Sequence, residues 1–120
     1  MTEKKILASA KKEFMRLGFH ATTLQQIAED AGVNRTSIHY YFRSKEKLYG
    51  EIIKEIAPML TGLKFPPDER FSYLWFILIE IQTNRPHFVS TLVQNGYSDW
   101  NREIEKSVIL EFKTLDIEQF

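Results

Sequence analysis

Glycines at 18 and 32, each followed within a few residues by threonine or asparagine, cut the first forty residues of this 120-residue chain into short helical units. Ile6, Leu7, Ala10, Phe14 and Leu17 recur at spacings of three and four, which predicts a helix over 3–17 ended by Gly18 at its C′ position. Thr22 and Thr23 then offer N-caps, with Gln25 and Gln26 three residues on for a capping box. The helix they open turns Leu24, Ile27, Ala28 and Ala31 inward and stops at Gly32. Asn34 is placed to cap the next one, with Val33 and Ile38 inward and Phe42 closing it. Two short helices joined by a tight glycine turn, residues 23–42, have the helix-turn-helix pattern. In that arrangement the first helix packs across the second through Ile27, Ala28 and Ile38. The polar N-terminal residues of the second are then free to enter a major groove.

The rest of the chain keeps helical periods. Ser44 caps a fourth helix, expected from about Lys45 to Leu60, in which Leu48, Ile52, Ile56 and Leu60 are spaced four apart. Gly62 and the Pro66-Pro67 pair end it and mark a break in the chain. Phe71 to Thr83 is apolar nearly all round, which predicts a helix buried on several sides. Asn84-Arg85-Pro86 interrupts it. Phe88, Leu92 and Val93 belong to a further helix that stops at Asn95-Gly96, and Trp100, Ile104, Val108 and Phe112 form a last stripe. No alternating strand pattern of useful length occurs, so the expected fold class is all-α.

Composition narrows the function. Without cysteine there is no disulfide, thiolate chemistry or cysteine-held zinc. No apolar core of a signal peptide follows the N-terminus, and the longest strongly apolar run, Leu74 to Ile79, is far short of a bilayer span. A soluble cytoplasmic protein with no membrane partner is expected. The sixteen basic and sixteen acidic residues cancel overall but not locally. Residues 1–50 hold nine Lys/Arg against five Asp/Glu, and residues 51–120 seven against eleven. Such asymmetry is the footprint of a basic binding module joined to an acidic one.

Catalysis finds no support. There is no Gly-rich phosphate loop, no G-x-S-x-G, no HExxH and no CxxC. The acidic pairs Glu29-Asp30 and Glu103/Glu105 sit at helical spacings that point to solvent. His20 and His87 are isolated from other ligand types and read as structural. No catalytic residue, metal or cofactor is expected.

The run "ATTLQQIAEDAGVNRTSIHYYFRSKEKLYGEII" closely resembles the N-terminal domain of TetR-family transcriptional regulators. That family shows TT-x-x-x-IA-x-x-AGV, a small polar recognition helix, an aromatic pair, F-x-SK and an acidic-rich start of helix four. The match extends upstream through "ILASAKKEFMRLGFHATT" and covers roughly residues 4–53; "NRPHFVSTLV" is similar to a Pro-started helix common in the family. Two positions depart from it, Thr36 where glycine is usual and His39 where tyrosine is usual. A threonine methyl can meet a thymine methyl, and an imidazole can donate to a phosphate, more strongly when protonated.

The resemblance implies a three-helix DNA-binding domain over 1–48, followed over 49–120 by a helical ligand-binding and dimerisation domain. The family's last two helices would follow "EFKTLDIEQF", so a longer regulator is expected, dimeric through contacts beyond residue 96. The expected function is a ligand-responsive repressor that binds a pseudo-palindromic double-stranded operator as a homodimer. Arg35, Thr36, Ser37 and Tyr40 are expected at base edges, assisted by Gln25, with Thr23, His39 and Lys45 on phosphates. Gln25 can equally be a capping partner, and Tyr40 or Tyr41 a packing residue. A small-molecule effector would lie among Phe71, Trp75, Leu78, Phe88, Leu92 and Trp100, the same residues that would serve as plain core. Helix four would carry the effector's signal to the reading head. The competing classes are an enzyme and a helical protein-interaction module.

Overall fold

The computed structural model describes the backbone of residues 1–119 and the side chains of residues 1–115. The closing segment 111–120, expected to lead toward dimerisation helices, lies partly outside them. Seven α-helices follow in order: α1 (Thr2–Ala21), α2 (Leu24–Ala31), α3 (Arg35–Phe42), α4 (Lys45–Ile56), α5 (Arg70–Thr83), α6 (Arg85–Gln94) and α7 (Arg102–Gln119). Two 3₁₀ segments, Ala57–Leu63 and Pro67–Glu69, bridge α4 to α5, and no strand occurs among the described residues. The fold is all-α.

The turn chemistry explains the first four helices. Gly18 interrupts α1 with φ +83° and ψ 172°, a conformation reserved for glycine. The buried Thr22 hydroxyl donates to the carbonyls of Glu13 and Gly18 at 3.1 and 2.8 Å, closing that end. Thr23, not Thr22, makes the capping box. Its Oγ accepts from the Gln26 N–H at 3.1 Å, while the Gln26 side chain accepts from the Thr23 N–H at 2.8 Å. Gly32 is left-handed, and the Val33 N–H reaches back to the Ala28 carbonyl at 3.0 Å. Asn34 stands at the N-cap of α3, but its side chain makes no capping bond. Ser44 Oγ caps α4 through the Lys47 N–H.

One continuous cluster of buried side chains runs from Ile6 to Val108. Helix α1 lies at its centre, packed against α2, α4 and α5, while α5 also carries α6 and α7. Phe14 and Tyr49 meet edge to face at 5.4 Å, and Phe76, Phe88 and Trp100 continue the aromatic chain at 6.1 and 5.5 Å.

Two expectations need correcting and a third needs detail. Helix α4 ends at Ile56 rather than Leu60, because Pro58 has no N–H to give the Lys54 carbonyl. The chain tightens into 3₁₀ turns there, which still bury Leu60. Helix α5 is buried on several sides, against α1, α6 and α7, as expected, but one strip stays open: Phe71 and Trp75 are 38% and 41% exposed. Glu105 does not point to solvent. It is buried and takes the Arg85 guanidinium through two oxygens at 2.6 and 3.4 Å, tying α7 to α6.

Candidate nucleic-acid interface

Helix α3 is divided by its own periodicity. Ile38 and Phe42 are buried and fasten it to the core, while Arg35, Thr36, His39, Tyr40 and Tyr41 are exposed and Ser37 half-buried. Tyr40 is 75% exposed and Tyr41 42%, meeting edge to face at 5.0 Å. A large aromatic ring held in water gains nothing for the core, so Tyr40 is free to contact a partner. Helix α2 presents Thr23 and Gln25 as exposed residues. Both already hold local bonds: Thr23 in its capping box, and Gln25 donating to Glu29 across one turn at 3.1 Å. The Thr23 hydroxyl proton and the Gln25 carbonyl stay available.

His39 Nδ1 lies 3.3 Å from the Arg43 carbonyl, which can only accept. The neutral ring therefore carries its proton on Nδ1 and offers the lone pair of Nε2 outward. A phosphate contact through Nε2 needs the other tautomer, which gives up the Arg43 bond, or the imidazolium. Arg43 itself, exposed at the end of α3 with φ +74°, is a further cation that sequence patterning passed over. Lys45 is placed differently from a free phosphate ligand. Its ammonium rests 4.3 Å from the Phe19 ring centroid, and burial holds its pKa below the ordinary lysine value.

The residues expected to surround an effector separate into two groups. Phe88 and Leu92 are fully buried and Trp100 nearly so, with Phe88 and Trp100 in edge contact at 5.5 Å. Phe71 and Trp75 instead line a groove against α1, and Leu78 is half-buried on the same helix.

A polar junction that the sequence did not suggest joins α1 and α4 to α5 and α6. Glu80 is completely buried. Its Oε1 accepts from the Tyr49 hydroxyl at 2.7 Å and from the Phe19 N–H at 3.3 Å. Burial raises the Glu80 pKa, and the hydrogen bonds from Tyr49 and Phe19 partly offset this. Burial and the nearby Glu80 charge also push the Tyr49 hydroxyl up. His87 stacks on Tyr49 at 5.2 Å and meets Phe19 edge-on at 4.6 Å, while the Asn84 amide donates to its Nδ1 at 3.2 Å. Burial lowers the His87 pKa, with the nearby His20 and Lys45 adding to this against Glu46. His20 packs on the other side of Phe19, at 5.5 Å. The two histidines that looked isolated in sequence thus share one aromatic neighbour. Among the described residues no group of three or more His, Cys, Asp or Glu could hold a metal ion, and no helix is long and apolar enough to cross a membrane.

Comparison with known proteins agrees with this architecture. Residues 6–52 match the family model of bacterial regulatory proteins of the tetR family. Over 63 residues, 52% of this chain, the identity to the HTH-type transcriptional regulator RutR of Escherichia coli is 50%. The HTH-type transcriptional regulator HbdR of Aromatoleum sp. is 27% identical over 124 residues, covering 86% of this chain. These alignments span 30% and 54% of the two relatives' own lengths. A crystal structure of an alanine-substituted HlyIIR mutant superposes with a TM-score of 0.65 at 24% identity, covering 95% of this chain and 75% of that one. At that identity the likeness speaks for the fold alone.

Proposed function

We propose that this chain, whose residues 6–52 match the model of bacterial regulatory proteins of the tetR family, reads DNA sequence as a transcriptional regulator rather than catalysing a reaction. The observation that carries the proposal is α3, anchored by buried Ile38 and Phe42 while its polar and aromatic residues stand in solvent. In this reading Arg35, Thr36, Ser37 and Tyr40 contact base edges, and Gln25 assists from α2. Thr23, His39 and Lys45 hold phosphates, Lys45 after leaving the Phe19 ring. One such helix touches few base pairs, so tight specific binding calls for a symmetric homodimer on a pseudo-palindromic operator. Repression relieved by a small-molecule effector completes the proposal, with residues 1–48 as reading head and 49–120 as part of the responsive body. The Tyr49–Glu80–Phe19 junction is the contact through which α4 would feel α5 and α6.

The test is selection of operator DNA from a random pool, followed by affinity measurements across a salt series. Lys45→Ala should weaken all sequences alike and lower the salt slope by roughly one unit. Arg35→Ala should instead cost about 1–3 kcal/mol, with discrimination lost at one base position. No selected sequence, together with unchanged affinity in both variants, would point to a protein-interaction module instead.

His39→Ala should weaken binding to all sequences alike, whereas His39→Tyr, which keeps a hydroxyl donor, should not. Unchanged affinity in the alanine variant would show that His39 does not touch phosphate.

A further inference from the structure

The groove between α1 and α5 sets aromatic rings opposite cations. It encloses about 580 Å³, within the usual range for small-molecule sites. Its apolar side is formed by Met15 of α1 and by Phe71 and Trp75 of α5, backed by Phe112 at 5.2 and 5.9 Å. Phe71 and Trp75 are among the large apolar side chains left substantially in water among the described residues. The Trp75 indole is not loose there, since its Nε1 donates to the Arg16 carbonyl at 3.3 Å. Facing these rings are three cations of α1, the adjacent Lys11 and Lys12 and, one turn on, Arg16, against one acid of the lining, Glu69.

Each cation has an acidic neighbour, yet Arg16 and Lys12 keep donors to spare. Arg16 meets Glu13 through one terminal nitrogen at 2.7 Å, leaving its other N–H donors free. Lys12 pairs with Asp30 at 2.7 Å with its side chain 63% exposed, a pair of small worth that a better-placed anion can outbid. Lys11 is held between Glu55 at 3.3 Å and the Tyr73 ring at 5.3 Å. The result is a flat aromatic wall beside a rim of fork-shaped and ammonium donors.

We propose that the α1–α5 groove binds a small aromatic carboxylate, its rings against Trp75 and Phe71 and its charge on Arg16 and Lys12. An uncharged aromatic would leave the cations unanswered, and a simple inorganic anion would leave the rings in water. The groove is separate from the buried Phe88–Trp100 cluster. Its two walls belong to the helix at the centre of the reading head and to the first helix of the body, so an occupant bridging them would bias their packing.

The test uses 2-naphthoate as probe and needs no DNA, so it stands apart from the proposed function. The chain has two tryptophans, and their indole N–H signals in ¹H–¹⁵N spectra can be told apart with Trp75→Phe. Titrating 2-naphthoate should shift the Trp75 signal saturably and leave the buried Trp100 signal in place. The neutral analogue 2-naphthylmethanol should bind at least tenfold more weakly, as should 2-naphthoate to the double variant Lys12→Gln/Arg16→Gln. Raised salt should weaken the carboxylate and not the alcohol. No saturable shift at Trp75 overturns the proposal. So does equal binding of acid and alcohol, or an unchanged affinity in a double variant whose spectrum is otherwise that of the parent.

Discussion

Gly18→Ala is expected to destabilise this protein by about 3–5 kcal/mol, from backbone strain of about 1–3 kcal/mol plus a steric term of similar size. The backbone at 18 has φ +83° and ψ 172°, which a residue with Cβ adopts only under strain. A Cβ built there would stand 2.6 Å from Cγ2 of Ile79 on α5, closer than any packed pair of carbons. Ile79 is β-branched and in mid-helix, so its rotamer cannot swing aside cheaply. The melting temperature should fall by more than roughly 10 °C, at about 4 °C for each kcal/mol in a chain of this size. Adding Ile79→Ala to Gly18→Ala should recover the steric part and not the backbone part. A Gly18→Ala protein that melts within about 3 °C of the parent would refute the close approach of α1 and α5.

Glu80→Ala is the second large effect. The substitution leaves two buried donors, the Tyr49 hydroxyl and the Phe19 N–H, without their acceptor. Each buried unpaired donor costs about 1–3 kcal/mol, while relief of the buried charge offsets part of the sum, leaving a net loss of about 2–3 kcal/mol. Glu80→Gln behaves differently, because its carbonyl still accepts from Tyr49. The pH dependence separates them. Burial raises the Glu80 pKa, so the folded state holds this proton more tightly than the unfolded state. Its stabilising contribution is complete below the unfolded value and is lost as pH rises through the raised folded value. Unfolding free energies measured by urea titration should therefore show a decline over that window in the parent that Glu80→Gln lacks. Identical slopes in the two proteins would mean that Glu80 titrates as an ordinary exposed acid. If α4 relays a signal between body and reading head, Tyr49→Phe should also alter effector-dependent DNA release more than DNA affinity itself.

Much of the reading head was legible because its signals are local. A capping box needs Thr23 and Gln26 three residues apart, and a C′ turn needs Gly32. Both are satisfied within one turn of chain, so they survive any tertiary context. Ile27, Ala28 and Ile38 were assigned to the core by period alone, and they are buried. Pro58 was readable in principle: the four-residue apolar spacing through Leu60 masked a missing N–H.

What no local signal could carry is the pairing of residues distant in the chain. Glu80 sits in a run of aliphatic residues and looks like the one charged position between Phe71 and Thr83. Its meaning comes from Tyr49, 31 residues earlier, and Phe19, 61 residues earlier. Phe71 and Trp75 carry the same apolar character as Tyr73 and Phe76 beside them, and only the position of α1 decides which pair is buried and which lines a groove. Hydrophobic period states that a helix has an inner face. It does not state how wide the neighbour covering that face will be, and here that width separates core from candidate site. The sequence by itself thus determined the all-α class, the caps at Thr23 and Ser44, the turns and the helix-turn-helix. The tertiary structure alone decided the buried carboxylate that ties α1 and α4 to α5 and α6, and the half-covered aromatic wall beside three cations, because both depend on distances across the fold.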